Sequence, residues 1–157
     1  RDTHVAPAAL GDADELLRIR HDIECRAARR IIAANDPALI PDLGHMLSAM
    51  RLAALEGDEY TLLEQDCLFH LRLIETAATP VVEPVLQRCL VHTQRYKVLN
   101  TDPDQRDLLN TANRHAAISE AVETGRAEAL SRALSHHIAT IVDFGPEVFA
   151  RMQEALP

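Results

Sequence analysis

Apolar residues recur at three- and four-residue intervals along most of the chain, and short polar or Gly/Pro breaks cut that rhythm into six long segments. The first opens at Gly11-Asp12, with Asp12 as N-cap and Glu15 three residues later. Leu16, Arg20, Ile23, Ala27 and Ile31 follow at helical spacing. Asn35-Asp36-Pro37 ends this helix and starts a second, in which Pro41 delays or bends the first turn before it runs to Glu56. Gly57-Asp58 introduces a third helix to about Ala78. Thr79-Pro80 opens a fourth to about Leu99, and Asn100-Thr101-Asp102-Pro103 is a turn cluster. A fifth helix is predicted over Asp104–Thr124 and a sixth from Gly125 to about Asp143. After Gly145-Pro146 comes a short amphipathic tail, Glu147–Ala155. The prediction is an all-α antiparallel bundle of six main helices plus a short C-terminal helix, forming one domain over residues 1–157.

Composition supports this reading. Hydrophobic residues make up 47% of the 157, but only 3% are aromatic and there is no Trp, so the core must be built from Leu, Ala, Ile and Val. Glycine is scarce and strong helix formers dominate. A formal charge of −8 makes the chain by itself a poor partner for nucleic acid. No apolar run approaches the length that spans a bilayer. The three cysteines (Cys25, Cys67, Cys89) form no CxxC pair and read as reduced thiols of a cytoplasmic protein.

The informative positions are polar ones where the rhythm demands a core. In the third helix the apolar stripe is Leu62, Phe69, Leu73 and Ala77, and Asp66 and His70 fall inside it, one turn apart. His115 sits in the stripe Leu108, Ala112, Ile118, Val122. His137 sits in the stripe Leu130, Ala133, Leu134, Ile138, Ile141. Buried carboxylates and imidazoles need partners. One divalent first-row ion such as Zn, Ni or Mn would satisfy all four and keep one or two positions open for water or a ligand carboxylate. The alternatives are an Asp–His hydrogen bond along one helix and core histidines bonded to backbone carbonyls.

Other charged positions carry weaker signals. Arg20 interrupts the first stripe with Glu24 one turn on, which reads either as an intrahelical ion pair or as a guanidinium kept for a ligand carboxylate. Arg88, His92 and Arg95 share a face of the fourth helix, either solvated or one wall of an anion pocket. His4, His21 and His45 have no clustered partners.

Taken together, Arg20-x-x-x-Glu24, Asp66-x-x-Phe69-His70, His115 and His137 resemble the FCD-type effector-binding domain of GntR-family transcription regulators, over about Asp12–Ile141. The resemblance implies a helical bundle that dimerises and a metal held at Asp66, His70, His115 and His137. It also implies a small organic acid, a carboxylate or sugar acid, bound beside the metal, with Arg20 matching an arginine that contacts the effector; Glu24 and Arg95 are the further effector-side candidates. DNA would be engaged only through an N-terminal winged helix-turn-helix, for which this sequence has no room ahead of its first helix. Two turns depart from the family: Thr79-Pro80 stands where Asn is frequent, and Gly125-Arg126 where Gly-Asp is frequent. The expectation is therefore a non-enzymatic, cytoplasmic, metal-dependent sensor. The competing readings are a metalloenzyme using Glu24 or Glu64 as general base, and an interaction domain whose histidines are structural.

Overall fold

The computed structural model describes residues 10–141 except 101, 103 and 105. Helix α1 spans Leu10–Ala34, α2 Leu39–Glu56, α3 Glu59–Thr76, α4 Glu83–Asn100, α5 Leu108–Asn113, α6 Ala116–Glu123 and α7 Ala127–Ala139. No strand occurs among the described residues, and no described helix is long and apolar enough to cross a membrane. The helix expected over Glu147–Ala155 lies outside the described residues.

The breaks follow the sequence closely. Gly57 adopts φ 72°, the left-handed conformation that lets Asp58 N–H bond back to the Ala53 carbonyl at 2.8 Å and close α2. Asp58 then caps α3, accepting from Thr61 N at 3.0 Å. Pro41 lies in the first turn of α2, where its missing N–H costs nothing. Asp36 accepts from Ala38 N at 2.9 Å and helps turn the chain into α2. Two boundaries differ. Helix α1 starts at Leu10, so Asp12 sits within the first turn, where its charge suits the helix dipole, and is not the cap. Residues 80–82 turn before α4 begins at Glu83, so Thr79-Pro80 does not open the helix directly.

One end of α3 departs from backbone preference. Ala78 has φ 52°, a conformation that disfavours any residue with a Cβ, and its side chain is exposed. Ala78→Gly is expected to raise stability by about 0.5–1 kcal/mol in urea denaturation, because strain is relieved without loss of packing. A destabilised glycine variant would contradict this account of the turn.

The largest correction concerns the fifth predicted helix, which is two helices meeting at Arg114–His115. No Gly or Pro breaks it. The His115 backbone N–H bonds to the Ala112 carbonyl at 3.2 Å, a tightened three-residue turn, while the Thr111 carbonyl takes the His115 imidazole Nδ1–H at 3.1 Å. A side chain has displaced the regular backbone bond, and the helix kinks there.

Packing places α3 at the centre. It lies between α2 and α4 and also touches α1 and α5, while α1 runs along α7 and α4. The core is aliphatic as composition requires: Leu43, Met50, Leu62, Leu73, Leu86, Ile118, Leu130 and Leu134 are buried around Phe69. Short connections make sequence neighbours antiparallel, which brings α1, α3, the α5–α6 kink and α7 to a common point.

Candidate metal and effector site

At that point the fold assembles the four residues singled out by the apolar stripes. Asp66, His70, His115 and His137 are all buried, and each offers a ligand atom within 4.8 Å of all the others. Asp66 and His70 come from successive turns of α3, His115 from the kink and His137 from α7. Phe69 wedges edge-on against the rings of His70 and His115, with centroids 5.6 and 5.0 Å away, and fixes their tilt.

Hydrogen bonds determine which nitrogens face inward. His115 Nδ1–H donates to the Thr111 carbonyl, so its Nε2 points at Asp66 Oδ1, 2.5 Å away. His70 Nδ1–H donates to Glu24 Oε2 at 2.5 Å, so its Nε2 faces His137 Nε2 at 3.2 Å and Asp66 Oδ1 at 3.6 Å. Lone pairs of two imidazoles and a carboxylate oxygen thus converge on one spot beside a third imidazole. Nδ1 of His137 is buried without a partner.

Such a convergence of acceptors is unfavourable unless a cation or a proton lies among them. Ligands about 2.0–2.2 Å from a common ion stand roughly 3–4.4 Å from one another, so the widest separations need to close by a few tenths of an ångström and the Asp66–His115 contact to open by about half an ångström. The donor set, three imidazole nitrogens and one carboxylate oxygen, also matches a divalent first-row metal. Two ligands already carry the outer partners usual for such sites, His70 on Glu24 and His115 on the Thr111 carbonyl. These residues fit a metal.

The surrounding charges respond strongly to burial. For Asp66 burial works upward, but His115, His70 and Arg20 outweigh it and hold the carboxyl well below the usual range. Burial likewise opposes ionisation of Glu24, yet Arg20 and His70 bring it down to about 2. Burial is the main cause that lowers His70 and His137, and for His137 the neighbouring His115, His70 and Arg20 add to it.

These shifts predict acid sensitivity of the chelator-treated protein, with all four groups acting in one direction. His70 and His137 take up protons more readily in the unfolded chain, so folding loses stability as pH falls below 6.5. Glu24 and Asp66 contribute stability that is complete above their unfolded values and is lost as pH falls toward their depressed folded values. Glu24 alone, at about 2 against an ordinary 4.5, corresponds to on the order of 3 kcal/mol. Thermal melts between about pH 7.5 and 4 should show a falling Tm, steeper below about 4.5. A flat or rising Tm on acidification would refute the assignment.

Arg20 combines both roles offered for it. Its Nε donates to Glu24 Oε1 at 2.5 Å, and its Nη2 is buried with no partner while the side chain lines the cavity beside Asp66 and His137. Glu24 spends one oxygen on Arg20 and the other on His70, so it orients the site from behind and does not line the cavity. Arg95 is not brought to this site. It lines a separate groove of about 650 Å³ between α3 and α4, with Glu64, Leu68 and Val91. Gln94 lies between cavity and groove and lines both, whereas Arg95, a further rotation of about 100° around the helix, lines the groove alone.

The cavity holds residues that sequence reasoning missed. Gln94 donates to Asp66 Oδ2 and to the Leu63 carbonyl, both at 2.8 Å, and Thr93, Lys97, Thr111 and Arg114 complete the wall. A signal existed on α4, where Thr93 lies in the buried run Leu86, Cys89, Leu90, Tyr96. His21, expected to stand alone, is buried and bonds across to Ser135 Oγ of α7 at 2.9 Å.

Among the described residues the chain is a strand-free helical bundle closing over a buried polar cluster. The chain belongs to the FCD domain family, whose model matches residues 15–140, and so to the GntR-family regulators in which this domain occurs. Among solved structures, E. coli McbR/YncC is similar in fold, with a TM-score of 0.75 over 96% of this chain and 72% of that one at 16% identity. No curated protein matched in sequence.

Proposed function

We propose that this domain is the sensing part of a GntR-family regulator and binds a divalent metal together with a small organic acid. The observation that carries the reading is the buried convergence of Asp66, His70, His115 and His137, with two Nδ1 protons already committed outward. A bound ion would supply Lewis-acid attraction for a ligand carboxylate at a position the protein leaves open. The Arg20 guanidinium, whose Nη2 has no partner, would donate a charge-assisted hydrogen bond to the same carboxylate. Gln94 and Glu24 hold Asp66 and His70 in place while this occurs.

Sensing requires no bond-making, only differential affinity between two arrangements of the domain. The cavity of about 20 Å³ takes roughly one water, so an acid must displace side chains to enter. The walls that would move belong to α4 and the α5–α6 kink, and such a shift would repack helices. In a regulator it would reach a dimer partner and a winged helix-turn-helix head. Support for sensing over turnover comes from the two carboxylates considered as general bases. Glu24 has both oxygens engaged, and Glu64 lines the other groove.

The test is calorimetry of the Zn-, Ni- or Mn-loaded protein with a panel of small organic acids, repeated after chelation. Binding that requires the metal is expected. Acid binding that is indifferent to chelation, or absent with every metal, would remove the reading.

A further inference from the structure

Three cationic side chains line the cavity, and Asp66 is the only carboxylate among the lining residues. Arg20 is already spoken for in part by Glu24. Lys97 and Arg114 are different. Lys97 Nζ donates to Thr111 Oγ1 at 3.1 Å, and Arg114 Nη1 donates to the Thr140 carbonyl at 2.6 Å. Both partners are neutral, and neither cation has an ion pair among the described residues. Both side chains are half-buried, and Lys97 is attracted by Asp66 and Glu59 while Arg114 and Arg106 repel it. The cavity thus carries three cationic side chains against one carboxylate, an excess that a bound anion would offset.

The anion already proposed does not satisfy them. A single carboxylate held by a metal and Arg20 is fully neutralised at the inner end of the cavity. Lys97 projects from α4 one turn beyond Thr93, and Arg114 from the kink three residues beyond Thr111, so they form its other wall. The two threonine hydroxyls and Gln94 lie among these charges, and a ligand hydroxyl would find donors and acceptors there.

Resting on the proposed sensing function, we infer that the effector is a dicarboxylate, with its second carboxylate held by Lys97 and Arg114 and a hydroxyl suited to the threonines between. Lys97 and Arg114 thereby set specificity, favouring acids that bring a second charge to pair with them.

Malate and 2-hydroxybutyrate make the direct probe, since they share chain length and the hydroxyl and differ by one carboxylate. In calorimetry on the Zn-loaded domain, malate is expected to bind at least about tenfold tighter than 2-hydroxybutyrate. Lys97→Gln should collapse that preference to within about twofold, chiefly by weakening malate. Arg114→Gln should act alike and Arg114→Lys should keep the preference, with thermal melts establishing that each variant is folded. Equal binding of the two acids by the wild-type protein overturns the dicarboxylate assignment and leaves a monocarboxylate sensor standing. A preference that survives Lys97→Gln and Arg114→Gln overturns the role of these cations. If neither acid binds while other acids of the panel do, the dicarboxylate assignment fails and the sensing function stands; if no acid of the panel binds with any metal, both fall.

Discussion

His137→Ala is expected to abolish tight divalent-metal binding and, with it, the thermal stabilisation that metal confers on the wild-type domain. His137 is the most discriminating of the four ligands to remove. His70 also anchors Glu24, and His115 maintains the kink through the Thr111 carbonyl, so their loss would perturb structure for reasons unrelated to metal. The His137 ring makes a polar contact with His70 Nε2, and its Nδ1 is already unpartnered. An ion bound only by the folded state at about 1,000 times its Kd contributes about 4 kcal/mol. For a domain of this size that is a Tm rise on the order of 10 °C. Wild-type protein prepared without a histidine tag should carry about one ion per chain by elemental analysis, as expected for a site that couples binding to folded structure. His137→Ala should carry little, and added Zn, Ni or Mn should leave its melting temperature nearly unchanged. Full occupancy in the variant, or none in the wild type under metal-replete conditions, would defeat the metal assignment.

The same cluster shows how far the sequence could be read. Asp66, His70, His115 and His137 were legible because a titratable residue inside an apolar stripe is a local anomaly, visible from periodicity alone. All four proved to be buried and to converge. Helix boundaries marked by Gly57, Asp58 and Gly125 were legible because those residues have backbone or capping preferences of their own. The kink at His115 was not. It arises when an imidazole takes a carbonyl from the backbone, and nothing in the residue types says which partner that imidazole will choose. The cavity wall was partly hidden for a related reason. Arg95 and Lys97 are equally plausible by composition, and only the exact rotation of α4 against α3 decides that Lys97 faces the site and Arg95 the neighbouring groove. Sequence periodicity resolves a face of a helix, but boundary errors of two residues turn it by about half a revolution. The outer role of Glu24 likewise depended on a long-range contact from α1 to α3 that no local pattern encodes.

That contact makes Arg20 the position with the largest expected effect on folding. Arg20 and Glu24 are each about 1% exposed, and the ion pair between them is completed by His70 on the far side of the carboxylate. Removing the guanidinium in Arg20→Met leaves Glu24 charged and buried, with a single imidazole as partner. Breaking a buried pair in this way costs about 3–5 kcal/mol, whereas replacing both members by neutral groups is far milder. Arg20→Met is therefore expected to lower stability by that amount in urea denaturation, and Arg20→Met combined with Glu24→Gln should recover much of it. The recovery is the informative part. It would show that the damage comes from a stranded carboxylate and not from lost packing of the arginine stem, which both variants share. The double variant also keeps a hydrogen-bond acceptor for His70 Nδ1–H while removing the guanidinium from the cavity. Metal binding should then survive while acid affinity falls, by about tenfold or more for loss of a charged hydrogen bond in a buried site. If the double variant is no more stable than Arg20→Met alone, the ion-pair account of this triad is wrong. If it binds acids as tightly as the wild type, Arg20 serves only to hold Glu24, and recognition of the ligand carboxylate passes to the metal alone.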